Sequence, residues 1–296
     1  MQPLRNILVG LDLAPNEQVA GRETLALAEH LARDGGRLTL LHATREDAYL
    51  APSGSARLLV TRDGLSERGR ASLEAAAAEL RTRRLQVALE LPDERAAKAL
   101  ARRGKEHDVV IVATRSHSDF EADFDERRLG TVSLELVRRC PAPLWAVKPG
   151  HAAVPKRIVA ATDLSDDVGR AVVRRSAQLA QQLSAELHIV HAPQLSWSKA
   201  LLSDEASREA ELERLGREAE AWIRGELDGA EATVHTPRSQ PDRAVVDVAN
   251  EVDAELVVMG TVARAGLAEK LVGNTAERIL GKLDRSLLAL KPKNFE

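Results

Sequence analysis

Arg5-Asn-Ile-Leu-Val-Gly-Leu-Asp12 opens the chain and returns as Lys156-Arg-Ile-Val-Ala-Ala-Thr-Asp163. The run Val109-Val-Ile-Val-Ala-Thr114 returns as Leu256-Val-Val-Met-Gly-Thr261, and Leu144-Trp-Ala-Val-Lys-Pro149 as Leu287-Leu-Ala-Leu-Lys-Pro292. Matches in the same order across both halves mark a duplicated domain rather than a short-period solenoid. A length of 296 residues accommodates two domains of ordinary size. The boundaries are therefore placed at 1–150 and 155–296, with Gly150-His-Ala-Ala-Val-Pro155 as a short linker.

Each half begins with a run rich in Ile, Leu and Val that lacks polar alternation, as a parallel strand covered on both faces requires. Helix-length segments follow at 19–34 and 166–184, with apolar residues at helical spacing such as Leu25, Ala28, Leu31 and Ala32. Second strands are predicted at 37–43 and 186–192, each ending in His-Ala, and long helices at 65–84 and 203–226. The remainder reads as strand, helix, strand, loop, helix and final strand. This alternation predicts an α/β fold with an open parallel sheet and right-handed crossovers in each half.

Composition narrows the function classes. With 42 basic against 45 acidic residues the net charge is −3, which argues against nucleic-acid binding through a broad basic face. No apolar run reaches the roughly 18 residues that span a bilayer, and Asp12 interrupts the only N-terminal apolar stretch, so a cytoplasmic protein is expected. Cys140 is the only cysteine and has no metal-site spacing partners; a small buried thiol is the expectation.

Ligands of open parallel sheets bind beyond the carboxyl ends of the strands, where the strand order reverses. Asp12 and Asp163 end the first strand of each half and so fall there. In the second half Gly260-Thr-Val-Ala-Arg264-Ala-Gly266 is followed, after Leu267 to Val272, by Gly273-Asn274-Thr275-Ala276-Glu277. Glycine lets backbone approach a phosphate closely, and a helix beginning at Thr275 aims unpaired N–H groups at an anion. Structural roles compete with this one. Asn274 and Glu277 have capping-box spacing, Gly260 and Gly273 can serve turns, Asp12 and Asp163 can cap their loops, and Arg264 can be a solvated loop residue.

On these residues the chain resembles the universal stress protein family, whose nucleotide-binding members carry Gly-x-x-Gly, nine residues, then Gly-[Ser/Thr]. The second half reads Gly260-x-x-Ala263, nine residues (264–272), then Gly273-Asn274: the spacing is kept and two signature residues differ. The phrases Met-Gly-Thr-Val-x-Arg-x-Gly, Gly-Asn-Thr-Ala-Glu and Cys-Pro-x-Pro-x-Trp at 140–145 are similar to tandem E-type bacterial members. The first half has Ala113-Thr-Arg-Ser116 and thirteen residues (117–129) before Gly130-Thr131-Val132-Ser133. It keeps the ending and has lost the leading glycines.

The resemblance implies two tandem adenine nucleotide alpha hydrolase-like, Rossmann-like domains. It also implies an adenine nucleotide, ATP with Mg2+, held mainly in the second half by Asp163, Gly260, Thr261, Ala263, Gly273, Asn274 and Thr275, with Val190 near the adenine. Arg264 is added because a guanidinium at that turn reaches a phosphate. The implied role is a stress response exerted through protein partners of unknown identity. The tandem copies are expected to form an intramolecular pseudo-dimer through their final strands, and a homodimer of the chain stays open. No P-loop, nucleophile elbow or zinc-protease helix is present, and Glu269 and Lys270 carry no assignable proton-transfer role, so no catalytic residue is named. Two alternatives remain: slow ATP hydrolysis at the same cleft, and a small-ligand or interaction module that has lost nucleotide binding.

Weaker constellations are the alternating His117, Asp119, Glu121, Asp123 and Asp125, read as an exposed acidic loop rather than a cation site. His188 and His191, three apart on a strand, face opposite sides and are not joint metal ligands. His42 and His191 are repeat equivalents expected to be structural.

Overall fold

The computed structural model describes residues 4–12, 18–33, 35–43, 62–114, 130–150, 153–165, 167–196, 198, 204–261 and 273–291. The acidic stretch 117–125 and the residues Ala263, Arg264, Glu269 and Lys270 lie outside these. Contacts divide the chain into two units, Met1–Val154 and Pro155–Glu296.

Unit 1 runs β1 (Asn6–Gly10), α1 (Gln18–Ala32), β2 (Arg37–Leu41), α2 (Arg62–Thr82), β3 (Gln86–Glu90), α3 (Ala96–Arg103), β4 (Val109–Ala113), α4 (Thr131–Arg139) and β5 (Leu144–Val147). Its strands pair in the order β3-β2-β1-β4-β5, all parallel. Ile7 pairs with Leu38 and Val109, so the three apolar runs meet in register at the sheet centre. The middle strands bury their central side chains on both faces because α-helical crossovers cover both, and this is why their sequences lack alternation.

Unit 2 repeats the plan with β6 (Arg157–Ala161), α5 (Val168–Leu183), β7 (Glu186–Val190), α6 (Glu205–Leu227), β8 (Thr233–His235), α7 (Pro241–Glu251), β9 (Leu256–Gly260), α8 (Asn274–Lys282) and β10 (Ser286–Leu290). The order is β10-β9-β6-β7-β8, again parallel throughout. The predicted α/β class with one open parallel sheet per half is what each unit has.

Helix α5 packs on α6 and α7 on α8, while α5 and α7 both rest on β6 and β7. The two helix pairs therefore cover opposite faces, as right-handed crossovers from a central first strand dictate. The order reverses between β6 and β9, and the carboxyl ends of β6, β7 and β9 converge there. Asp204 caps α6, its carboxylate accepting the Ser207 N–H at 2.8 Å. The Ser207 hydrogen bonds hold the Asp204 carboxyl below its ordinary value. Strand and helix ends fall within a few residues of the sequence expectation, for example 18–32 where 19–34 is predicted.

Candidate functional site

At the carboxyl ends of β6, β7 and β9 lies a cavity of about 880 Å³. Of the nine residues proposed from sequence, Asp163, Val190, Gly260, Gly273 and Thr275 line it together. These residues come from four separate segments, and only the sheet topology gathers them.

Asp163 is placed by a tight turn. The Leu164 N–H donates to Thr162 Oγ1 at 3.2 Å, the Ser165 N–H to Asp163 Oδ1 at 3.0 Å, and the Gly169 N–H to Ser165 Oγ at 2.9 Å. Leu164 adopts φ 58, an uncommon left-handed conformation for a bulky residue. A Cβ on Gly169 would stand 2.9 Å from the Leu164 carbonyl carbon, so glycine is what lets α5 start against this turn. The Asp163 carboxylate thus serves both readings at once: it caps its loop and faces the cavity.

The two motif glycines behave differently. A Cβ on Gly260 would fall 2.4 Å from Val168 Cγ1, so the bare face of Gly260 is taken up by α5 packing. Gly273 is the N-cap of α8, at φ −65 and ψ 147, an angle open to any residue. Asn274 is the first residue of α8, and the Glu277 N–H bonds the Gly273 carbonyl at 3.0 Å. The capping-box reading of Asn274 is therefore corrected: the cap is one residue earlier and has no side chain. The helix likewise begins at Asn274 rather than Thr275. Thr275 is exposed at the first turn, where helical N–H groups lack carbonyl partners.

Thr261 lies close by, but its hydroxyl is turned inward. It is 3% exposed, donates to the Leu290 carbonyl at 3.3 Å and accepts from Lys291 Nζ at 3.1 Å. The structure makes it a bracket between β9 and β10.

His42 and His191 occupy equivalent places. His42 Nδ1 is 3.1 Å from the Leu11 carbonyl, and His191 Nδ1 is 3.1 Å from the Thr162 carbonyl. A carbonyl only accepts, so each ring carries its proton on Nδ1. His42 is buried beneath α2, where a Cβ on Gly69 would meet its Nε2 at 2.9 Å. His191 is half-buried and lines the cavity.

Several lining residues were not singled out from sequence. Leu215, Glu218, Ala219 and Trp222 form one stripe of α6, and Val168 and Val172 one stripe of α5. Their i, i+3, i+4, i+7 spacing shows which residues share a face; it does not tell that face what it will meet. A second surprise is the pair His188 and His235, whose Nδ1 and Nε2 lie 3.1 Å apart across β7 and β8. Burial lowers both their pKa values, and for His235 the neighbouring His188 lowers it further. His188 and His191 thus go to separate partners. Among the described residues no group of three or more His, Cys, Asp or Glu is placed to hold a metal. Cys140 is buried at the end of α4, as expected of a small structural thiol. No described helix is long and apolar enough to cross a membrane.

A duplicated α/β unit with this cavity invites comparison with known families, and the model of the "Universal stress protein family" matches residues 3–148 and again 155–291. The chain belongs to the universal stress protein family. It is a tandem member related to bacterial proteins of the E type. A universal stress protein E homolog of Haemophilus influenzae is 31% identical over 182 residues, covering 54% of this chain and 56% of that one. Universal stress protein E of Escherichia coli K12 is 26% identical over 201 residues, covering 64% of this chain and 62% of that one. The matches thus span less than two thirds of either relative's length. A functionally unknown protein from Pseudomonas aeruginosa PAO1 shares the fold at a TM-score of 0.71 and 23% identity, over 99% of this chain and 94% of that one.

Proposed function

We propose that this tandem universal stress protein binds an adenine nucleotide, ATP with Mg2+, in the cavity of its second half. Binding there would serve a stress response exerted through protein partners in the cytoplasm. One observation carries the reading: Asp163, Val190, Gly260, Gly273 and Thr275, distant in sequence, share one cavity of about 880 Å³ at the switch between β6 and β9. The α8 N-terminus, with Gly273 and Thr275, is the end suited to the phosphates, since its unpaired N–H groups and dipole favour an anion. Asp163 is an acceptor suited to a ribose hydroxyl. The reading gives the chain no catalytic residue and so proposes binding rather than turnover. It includes domains at 1–150 and 155–296 acting as an intramolecular pseudo-dimer.

Calorimetric titration of the full chain with ATP, with and without Mg2+, tests this; saturable 1:1 binding supports it, and no heat of binding at millimolar nucleotide overturns it. A second reading, a small apolar-ligand module in the same cavity, is favoured by a specific feature. The described lining contains the carboxylates of Asp163 and Glu218 and no lysine or arginine. Mass spectrometry of whatever co-purifies separates the two readings.

A further inference from the structure

The motif residues account for only part of the cavity wall. Another part is a slot between α5 and α6, with Val168 and Val172, which abut Gly260, on one side and Leu215, Ala219 and Trp222 on the other. Trp222 is half-buried there. It is also the only Trp, Tyr or Phe that lines the cavity among the described residues. With aromatics at 2% of the chain, an indole placed at the mouth of an apolar slot is not a by-product of abundance. Core packing alone would bury it, as it does Trp145, which is 1% exposed in β5.

Charge decides what this slot can take. Glu218 lies on the same stripe of α6, one turn from Trp222. Its partner Arg214 is shared with Glu211, 2.8 Å from Arg214 Nη2. The described lining offers a phosphate no lysine or arginine here, whereas a neutral planar ring gains both apolar burial and π contact with an indole face. Gly273 and Thr275, at the start of α8, offer N–H donors to the same cavity. Helical N–H donors are thus supplied by α8 and apolar contact surface by α5 and α6.

We infer that Trp222 is a base-stacking residue: the nucleobase of the bound nucleotide enters the α5–α6 slot and lies against the indole, with the phosphates directed to α8. This rests on the nucleotide reading above and extends it to a residue outside the family-motif positions. Trp222 touches the ligand and sets its orientation; it takes no part in any bond-making step.

The test uses the full chain and three probes in equilibrium titrations: ATP, adenosine as the base without phosphates, and inorganic tripolyphosphate as the phosphates without a base. Trp222→Ala is expected to weaken ATP and adenosine by about 5- to 150-fold, the usual range for losing one base–aromatic stack, with tripolyphosphate unchanged. Trp222→Phe keeps a stacking face and should return ATP affinity to within a few-fold of the parent. Ala219→Trp fills the slot from the same helix and should block adenosine while sparing tripolyphosphate. Thermal melts of each variant establish that the fold persists. A parent that binds ATP with an affinity unmoved by Trp222→Ala and Ala219→Trp overturns the stacking role alone. Equal losses for ATP and tripolyphosphate also overturn it, since only a structural defect treats both ends alike. A parent that binds no ATP overturns the nucleotide reading and the stacking role with it.

Discussion

The same crevice is built twice and treated differently. In the first half His42 is buried under α2, with Gly69 leaving just enough room for the ring. In the second half the equivalent His191 is half-buried and faces a cavity of about 880 Å³, and the helix corresponding to α2 turns Leu215, Ala219 and Trp222 toward that space. Both histidines hold their rings with the same Nδ1 bond to the carbonyl two residues past the first strand's core. The lesson is that a duplicated scaffold keeps its backbone bracing while the helix beyond β2 or β7 decides how far the histidine is covered.

The sharpest way to break this asymmetry is a bulky residue at each equivalent N-cap. Gly273→Val puts two methyl groups into the cavity at the start of α8, in a backbone conformation valine accepts, so the loss should come from blocked space rather than strain. ATP binding in a calorimetric titration should vanish, while Gly130→Val, at the N-cap of α4, should keep most of it. Equal losses in the two variants would remove the basis for assigning the nucleotide to one half.

The contrast can also be tested by stability. Gly69→Ala would bring a Cβ to 2.8 Å from His42 Cδ2, overpacking the His42 ring beneath α2, and is expected to cost about 1–3 kcal/mol in denaturant melts. On α6 of unit 2, Gly216→Ala meets only Thr236, its Oγ1 at 3.2 Å, and Gly225→Ala meets nothing within 4 Å. Gly225→Ala should therefore stabilise α6 by up to about 1 kcal/mol through helix propensity. If Gly69→Ala is as harmless as Gly225→Ala, the first crevice is not the tightly filled one.

Restoring the family motif sharpens the comparison from the other side. Ala263→Gly with Asn274→Ser recreates Gly-x-x-Gly, nine residues, Gly-Ser, and should tighten ATP binding by roughly a few-fold to a hundred-fold, the worth of one or two modest hydrogen bonds. Unchanged affinity in an equilibrium titration would show that the two departures do not weaken the site and would strengthen the small-ligand reading.

The smallest expected effect is a pH dependence confined to unit 2. Burial holds His188 and His235 below the ordinary histidine value of 6.5. The unfolded chain then binds more protons than the folded one, so stability is fully present above about pH 6.5 and falls as pH drops below it toward the folded values. The groups around the pair include Glu186, Glu251 and Arg157, and the two glutamates partly oppose the shift. His235→Gln should flatten the acid limb of a melting-temperature profile. An acid limb of the same steepness in that variant would assign it to other groups.

The sequence by itself determined the duplication and the parallel sheet. Ile7-Leu-Val-Gly and Ile158-Val-Ala-Ala lack alternation because both faces of those strands are covered, and that is a local signature of a global environment. It also placed Asp163 and the Gly260–Gly273 motif near one another, because strand ends of an open parallel sheet converge, while Val190 came with the family resemblance. Only the tertiary structure decided what each side chain meets there. Gly260 abuts Val168 rather than open space, and the Thr261 hydroxyl turns to the Leu290 carbonyl. The N-cap of α8 is Gly273 rather than Asn274. Trp222, far from any motif, is brought to the cavity wall by the packing of α6 on α5. Periodicity fixes the face a residue occupies; the partner opposite that face is set by contacts between segments many residues apart, and no local pattern encodes those distances.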